Sequence, residues 1–148
     1  MKFKNLENNL SVKYIEPYLE LFANLKSPTR DVLGLALDMA CVLRGTEYLI
    51  FGGYAVLSHL MQEHGEAIAR TWRGSIDIDM AGSLGAFLAL SESYQIESDR
   101  NSPNLKNKRT LKLAGEEHFK IDFYDGDMEK KFGKSETNIH FGIEILFT

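Results

Sequence analysis

Residues 73–80, Arg-Gly-Ser-Ile-Asp-Ile-Asp-Met, constrain the fold more than any other stretch of the chain. Strand side chains alternate between faces, so Asp77 and Asp79 point one way while Ile76, Ile78 and Met80 point the other. The three apolar residues fit a core. The two carboxylates repel each other, and burying either costs free energy unless a partner offsets its charge. A divalent cation is one such partner, because it takes oxygen ligands and cancels the repulsion. A polar sheet face in water is the other way to accommodate the pair, and the motif alone does not choose between them.

At 148 residues the chain offers material for one core. We expect a single domain over 1–148, with N-terminal helices in 1–45 and a sheet core in 48–148. A net charge of -4 excludes a global basic field that recruits nucleic acid or an anionic membrane, so any polyanion is held by a local site. The single cysteine, Cys41, cannot form an internal disulfide, and its apolar surroundings predict a buried, inert thiol. The first residues lack the apolar core of a signal peptide and no apolar run is long enough to span a bilayer, so the expected location is the cytoplasm.

Residues 1–10 are polar and Asn-rich and read as a loose lead-in. A 3.6-residue apolar period predicts a helix over 12–25, and Ser27 as N-cap with Pro28 in the first turn opens another over 29–43. Residues 48–51 are uniformly apolar, as in a buried strand. They stop at Gly52-Gly53, and 54–64 read as a helix with Ala55, Val56, Leu60 and Met61 inward. Strand, two glycines and helix outline an anion site, since glycine admits a close ligand and a helix N-terminus offers free N–H groups. The same pair also serves simply to make a turn. A polar connection over 65–74 leads to the acidic strand. A helix over 84–93, a strand over 94–97, a loop over 99–107, and strands over 109–113 and 117–124 joined by a hairpin at 114–116 follow. A last strand is expected over 139–147. The fold class is α/β (α+β): a small mixed β-sheet flanked by helices.

On the strand at 117–124, Phe119, Ile121 and Phe123 share one face and Lys120, Asp122 and Tyr124 the other. If this strand lies beside residues 73–80, Asp122 completes a three-carboxylate cluster. Such a cluster with substrate phosphates can hold two magnesium ions about 3.5–4 Å apart for in-line phosphoryl or nucleotidyl transfer.

Gly52-Gly53, Asp77-x-Asp79 and the later Asp122 between apolar neighbours resemble the signature of the DNA polymerase beta-like nucleotidyltransferase superfamily. The finer pattern, Phe-Gly-Gly-x-Ala-x-x-x-His at 51–59 and Arg-x-Ser-x-Asp-Ile-Asp at 73–79, is similar to the AbiEii toxin-type nucleotidyltransferases. The resemblance covers about 48–124 and implies a polymerase beta palm-like fold. It also implies a transfer of a nucleoside monophosphate from an NTP to an RNA (tRNA included) or protein acceptor, in a toxin–antitoxin or phage-defence setting. By the same resemblance Gly52 and Gly53 face the triphosphate, and Asp77, Asp79 and Asp122 bind two Mg2+ (or Mn2+) ions. Asp122 further acts as general base, and Arg73 and Ser75 support the site or contact phosphate. Members of this type continue well past the third acid into a basic helical region, which residues 125–148 do not resemble. A separate antitoxin or helical partner protein is the counterpart this implies.

Other readings stand beside this one. A nucleotidyltransferase-like module that binds nucleotide or a partner without catalysis fits the same motifs, and a D-x-D glycosyltransferase holding manganese and a nucleotide sugar fits the two acids alone. Arg73 serves equally as the ion-pair partner of a nearby acid. His59 is expected to be a packing residue of a half-buried helix, and Trp72 to cap a core edge unless it stacks on a base. Lys106, Lys108, Arg109 and Lys112 form a basic stretch suited to RNA or triphosphate, or a solvated hairpin face. Lys112 and Lys120 can also neutralise the acids.

Overall fold

The computed structural model describes residues 3–11, 15–69, 71–99, 108–114 and 119–125. Its elements run α1 (Lys4–Glu7), a 3-10 turn (Glu16–Tyr18), α2 (Leu19–Asn24), α3 (Thr29–Val42), β1 (Tyr48–Phe51), α4 (Gly53–His64) and α5 (Glu66–Ala69). They continue with β2 (Asp77–Gly82), α6 (Leu84–Ser93), β3 (Ile96–Asp99), β4 (Lys108–Leu113) and β5 (Lys120–Asp125). The five strands form one mixed sheet in the order β1-β2-β5-β4-β3. Only the β2–β5 pair is parallel. Mixed α/β architecture with flanking helices is the class expected from the sequence.

Register sorts the sheet into two faces, because neighbouring residues in a ladder point the same way. Tyr48, Ile50, Ile78, Met80, Leu111, Ile121 and Phe123 lie on the core face and are buried. Asp77, Asp79, Lys120, Asp122, Thr110 and Lys112 lie on the other. Helix α3 is buried from Val32 to Ala40 and carries the centre of the helical layer. Its Gly34 leaves space for two rings: a Cβ there would stand 2.6 Å from the Phe3 ring and 2.9 Å from that of Phe22. Those rings meet edge-on, 6.4 Å apart. Helix α6 begins at Ser83, whose hydroxyl accepts from the Ala86 amide as an N-cap should. Among the described residues no helix is long and apolar enough to cross a membrane.

Several local expectations are corrected. The lead-in is not loose, since α1 packs against α3 and Leu6 is buried. Residues 15–25 form a 3-10 turn and a short helix instead of one long helix, with Pro17 in the first turn of the former. Ser27 does not cap α3; its hydroxyl donates to Asp31 Oδ2 at 2.8 Å and Pro28 takes the cap position. On helix α4, Ala55, Leu60 and Met61 pack against the core as expected, but the buried positions are Tyr54, Leu57 and Ser58, and Val56 is 53% exposed. Strand β2 starts at Asp77, which leaves Ile76 outside the alternation and 55% exposed. The connection at 65–74 contains α5 and buries Ala69 and Trp72. Strand β3 lies two residues later than expected, after Tyr94 has closed α6. Asp99, expected in a loop over 99–107, ends β3, and the rest of that loop, residues 115–116 of the expected hairpin at 114–116 and the expected strand at 139–147 lie outside the described residues.

Candidate functional site

The three acids come to one region because β5 pairs with β2 in parallel, with Asp79 opposite Asp122 and Asp77 opposite Lys120. Neighbouring strands stand about 4.8 Å apart, whereas Asp77 and Asp79, two residues along one strand, are separated by about 6.6 Å. Asp79 and Asp122 are therefore the closer pair. Asp122 is 9% exposed, the least of the three, and Thr110 Oγ1 on β4 donates to its Oδ1 at 3.4 Å. As the side chains stand, no group of three or more His, Cys, Asp or Glu among the described residues is gathered closely enough to hold a metal ion.

Gly52 and Gly53 link β1 to α4 beside these acids. Gly52 has φ +74°, and a Cβ there would stand 2.6 Å from Asp79 Oδ2. Glycine is thus required twice, for the backbone conformation and for the approach of the carboxylate. A Cβ on Gly53 would come within 2.8 Å of Ser75 Cβ. Ser75 is fixed from both sides: its hydroxyl donates to the Asp77 carbonyl at 3.0 Å, and its own carbonyl accepts from the Tyr54 hydroxyl at 2.8 Å. Burial pushes the Tyr54 phenol well above its ordinary value of 10.0, and the Asp77 charge pushes it the same way. The phenol consequently stays a neutral donor locking α4 to the segment that opens β2.

The remaining sequence candidates divide. Arg73 is exposed in the segment before β2. His59 is exposed on α4, so the expected packing role is corrected. Trp72 is buried edge-on against Tyr54, with ring centroids 5.3 Å apart, as a core-edge cap should be. The basic stretch is split between faces. Arg109 lies opposite Phe123 and holds its guanidinium 5.0 Å over the Phe87 ring, whereas Lys112 lies opposite Lys120 on the acid face. Lys106 lies outside the described residues. Cys41 is half-buried; its thiol donates to the Leu37 carbonyl, and burial followed by the Asp38 charge raises its pKa to about 11. That is the inert thiol expected.

Two residues near the acids escaped sequence reasoning. Thr110 becomes visible only once β4 is registered against Asp122, and Tyr54 was hidden because its hydroxyl reaches 21 positions along the chain. Phe51 and Tyr124 also meet on the acid face with centroids 5.6 Å apart, bounding the site on the β1 side.

Compared with known proteins, the chain matches no family model, no curated protein and no solved structure.

Proposed function

We propose that this chain is a metal-dependent nucleotidyltransferase with a polymerase beta palm-like core of the AbiEii type, moving a nucleoside monophosphate from an NTP to an RNA or protein acceptor hydroxyl. The observation that carries the reading is the β2–β5 register, with Asp122 beside Asp79 and Asp77 on the same face, next to the glycine turn that opens α4. The donor set suits a hard cation: it is all carboxylate, and the turn at Gly52 presses no side chain onto Asp79. Asp77, Asp79 and Asp122 would hold such ions. When bound, Mg2+ or Mn2+ supplies charge neutralisation for the triphosphate and a lowered pKa for the attacking hydroxyl.

The chain's own residues do the rest. Asp122 accepts the proton of the acceptor hydroxyl as its oxygen bonds to the α-phosphorus and the bond to pyrophosphate breaks. The free amides at the start of α4 face the anionic substrate, and Arg73 is exposed nearby to add charge. Lys112 and Lys120 balance the acid face before substrate arrives.

A second reading draws on a specific observation. Asp122 is nearly buried and engaged by Thr110, and the acids are not gathered into a metal cage, as suits a module that binds nucleotide or a partner protein without transfer. Thermal shift with each NTP, with and without magnesium, separates the two. A ligand at a hundred times its dissociation constant adds about 2.7 kcal/mol. The enzyme reading expects a magnesium-dependent rise in Tm for the wild type that is lost in Asp77→Asn/Asp79→Asn. A shift indifferent to magnesium and to the double substitution favours the non-catalytic module.

A further inference from the structure

Among the described residues one buried side-chain polar atom has no hydrogen-bond partner, Nε1 of Trp72, in a residue only 8% exposed. Indole N–H is a donor only, and a buried donor without an acceptor is costly enough to need a physical reason. Its surroundings supply one. Cζ2, on the ring edge that carries Nε1, lies 3.9 Å from where a Cβ on Gly53 would stand, so that edge lies beside the start of α4. Helix α4 has 12 residues and no side-chain cap at Gly52. Its first main-chain bond is Val56 N–H to Gly52 O at 3.1 Å, which leaves the amides of residues 53–55 without an intrahelical acceptor. These amides and the helix dipole favour an anion. The Asp79 carboxylate stands against Gly52 and repels an anion from that side, which directs it to the Gly53 side where Trp72 lies.

We propose that the Trp72 indole N–H and the first-turn amides of α4 form an oxyanion subsite for a phosphate group, with Trp72 a direct ligand contact. The inference rests on the nucleotide reading only in taking that phosphate to belong to a nucleoside triphosphate. The subsite itself needs neither the acids nor a metal.

Trp72 is the only tryptophan of the chain, so its fluorescence reports on this place alone. Inorganic tripolyphosphate titrated in the presence of a chelator is expected to give a saturable change in Trp72 emission. Trp72→Phe, which keeps an aromatic ring against Tyr54 and removes the donor, is expected to weaken tripolyphosphate binding about tenfold by calorimetry. Replacement of Trp72 by 3-benzothienylalanine, which keeps the bicyclic shape without the N–H, guards against a packing artefact and is expected to show the same loss. Absence of a saturable response in the wild type, or unchanged affinity in both replacements, overturns the proposal and leaves an ordered water as the acceptor. Asp77→Asn/Asp79→Asn is expected to retain the tripolyphosphate response. A magnesium–nucleotide shift without any tripolyphosphate response therefore sinks the subsite alone. A tripolyphosphate response without a magnesium–nucleotide shift supports the subsite and sinks only the enzyme reading.

Discussion

Gly52 and Gly45 share a positive φ, +74° and +83°, but not surroundings: a Cβ on Gly52 meets Asp79 Oδ2, whereas one on Gly45 meets nothing within 4 Å. The pair separates the cost of a positive φ from the cost of displacing a carboxylate. Each change to alanine carries a conformational penalty of about 1–2 kcal/mol. Gly45→Ala is expected to lose that much in urea unfolding and to keep the magnesium–nucleotide shift. Gly52→Ala is expected to lose more and to abolish the shift, because Asp79 has to leave its position. If Gly52→Ala kept the full shift, the close approach of turn and acid would be incidental to binding.

Asp38 ties three elements together. It is 1% exposed on α3 and accepts from the Leu6 amide at 2.7 Å, from Asn5 Nδ2 at 3.2 Å and from the Tyr94 hydroxyl. Asp38→Asn keeps one carbonyl oxygen for three donors and adds an N–H2 group facing them, so a loss of about 1.5–3 kcal/mol is expected. Hydrogen exchange should show the Leu6 amide losing protection first, with the nucleotide response unchanged. Retained protection at Leu6 would mean that packing of Phe3 and Leu6 alone holds α1. The same residues explain what the sequence could reveal. Helices α3, α4 and α6 and strand β1 were legible because long periodicity or an apolar run ends at glycine, a cap or a change of period. Helix α1 was not, since its anchor lies 32 positions away and leaves no local pattern. Alternation around Ile76 suggested one residue too many for β2, because the strand's start is set by Ser75 bonding to the Asp77 carbonyl and not by hydrophobicity. The shared face of Asp77 and Asp79 followed from period two. The parallel register that sets Asp122 beside Asp79 is a pairing between distant strands and could only be stated as a condition.

At the scale of the molecule, protonation links the helical layer, the acid site and the end of α6. Tyr18, Tyr54 and Tyr94 are held well above the ordinary value of 10.0, each first by burial; Tyr54 is raised further by Asp77 and Tyr94 by Asp38, while a hydrogen bond with Ser58 acts on Tyr18 in the lowering direction. Cys41 is raised from 9.0 to about 11. A folded pKa above the unfolded one means that the native state binds more protons at high pH, so stability falls as pH rises. These contributions are fully present below the unfolded values and are lost progressively as pH rises from the unfolded towards the folded values. Stability from these groups should therefore be level between pH 7 and about 9. It should bend down between about 9 and 11 as the Cys41 thiol ionises in the unfolded chain, and steepen above about 10, where each tyrosine adds a slope of about 1.4 kcal/mol per pH unit. Urea midpoints measured across this range should show both bends, and Cys41→Ala should remove only the first. Because the three tyrosines stand in different elements of one continuous core, tyrosinate absorbance should rise for them together with the loss of far-UV circular dichroism. Ionisation of Tyr94 ahead of the others would mean that the Asp38 junction opens by itself. The acid site would then sit on a sheet whose helical cover is not a single cooperative unit.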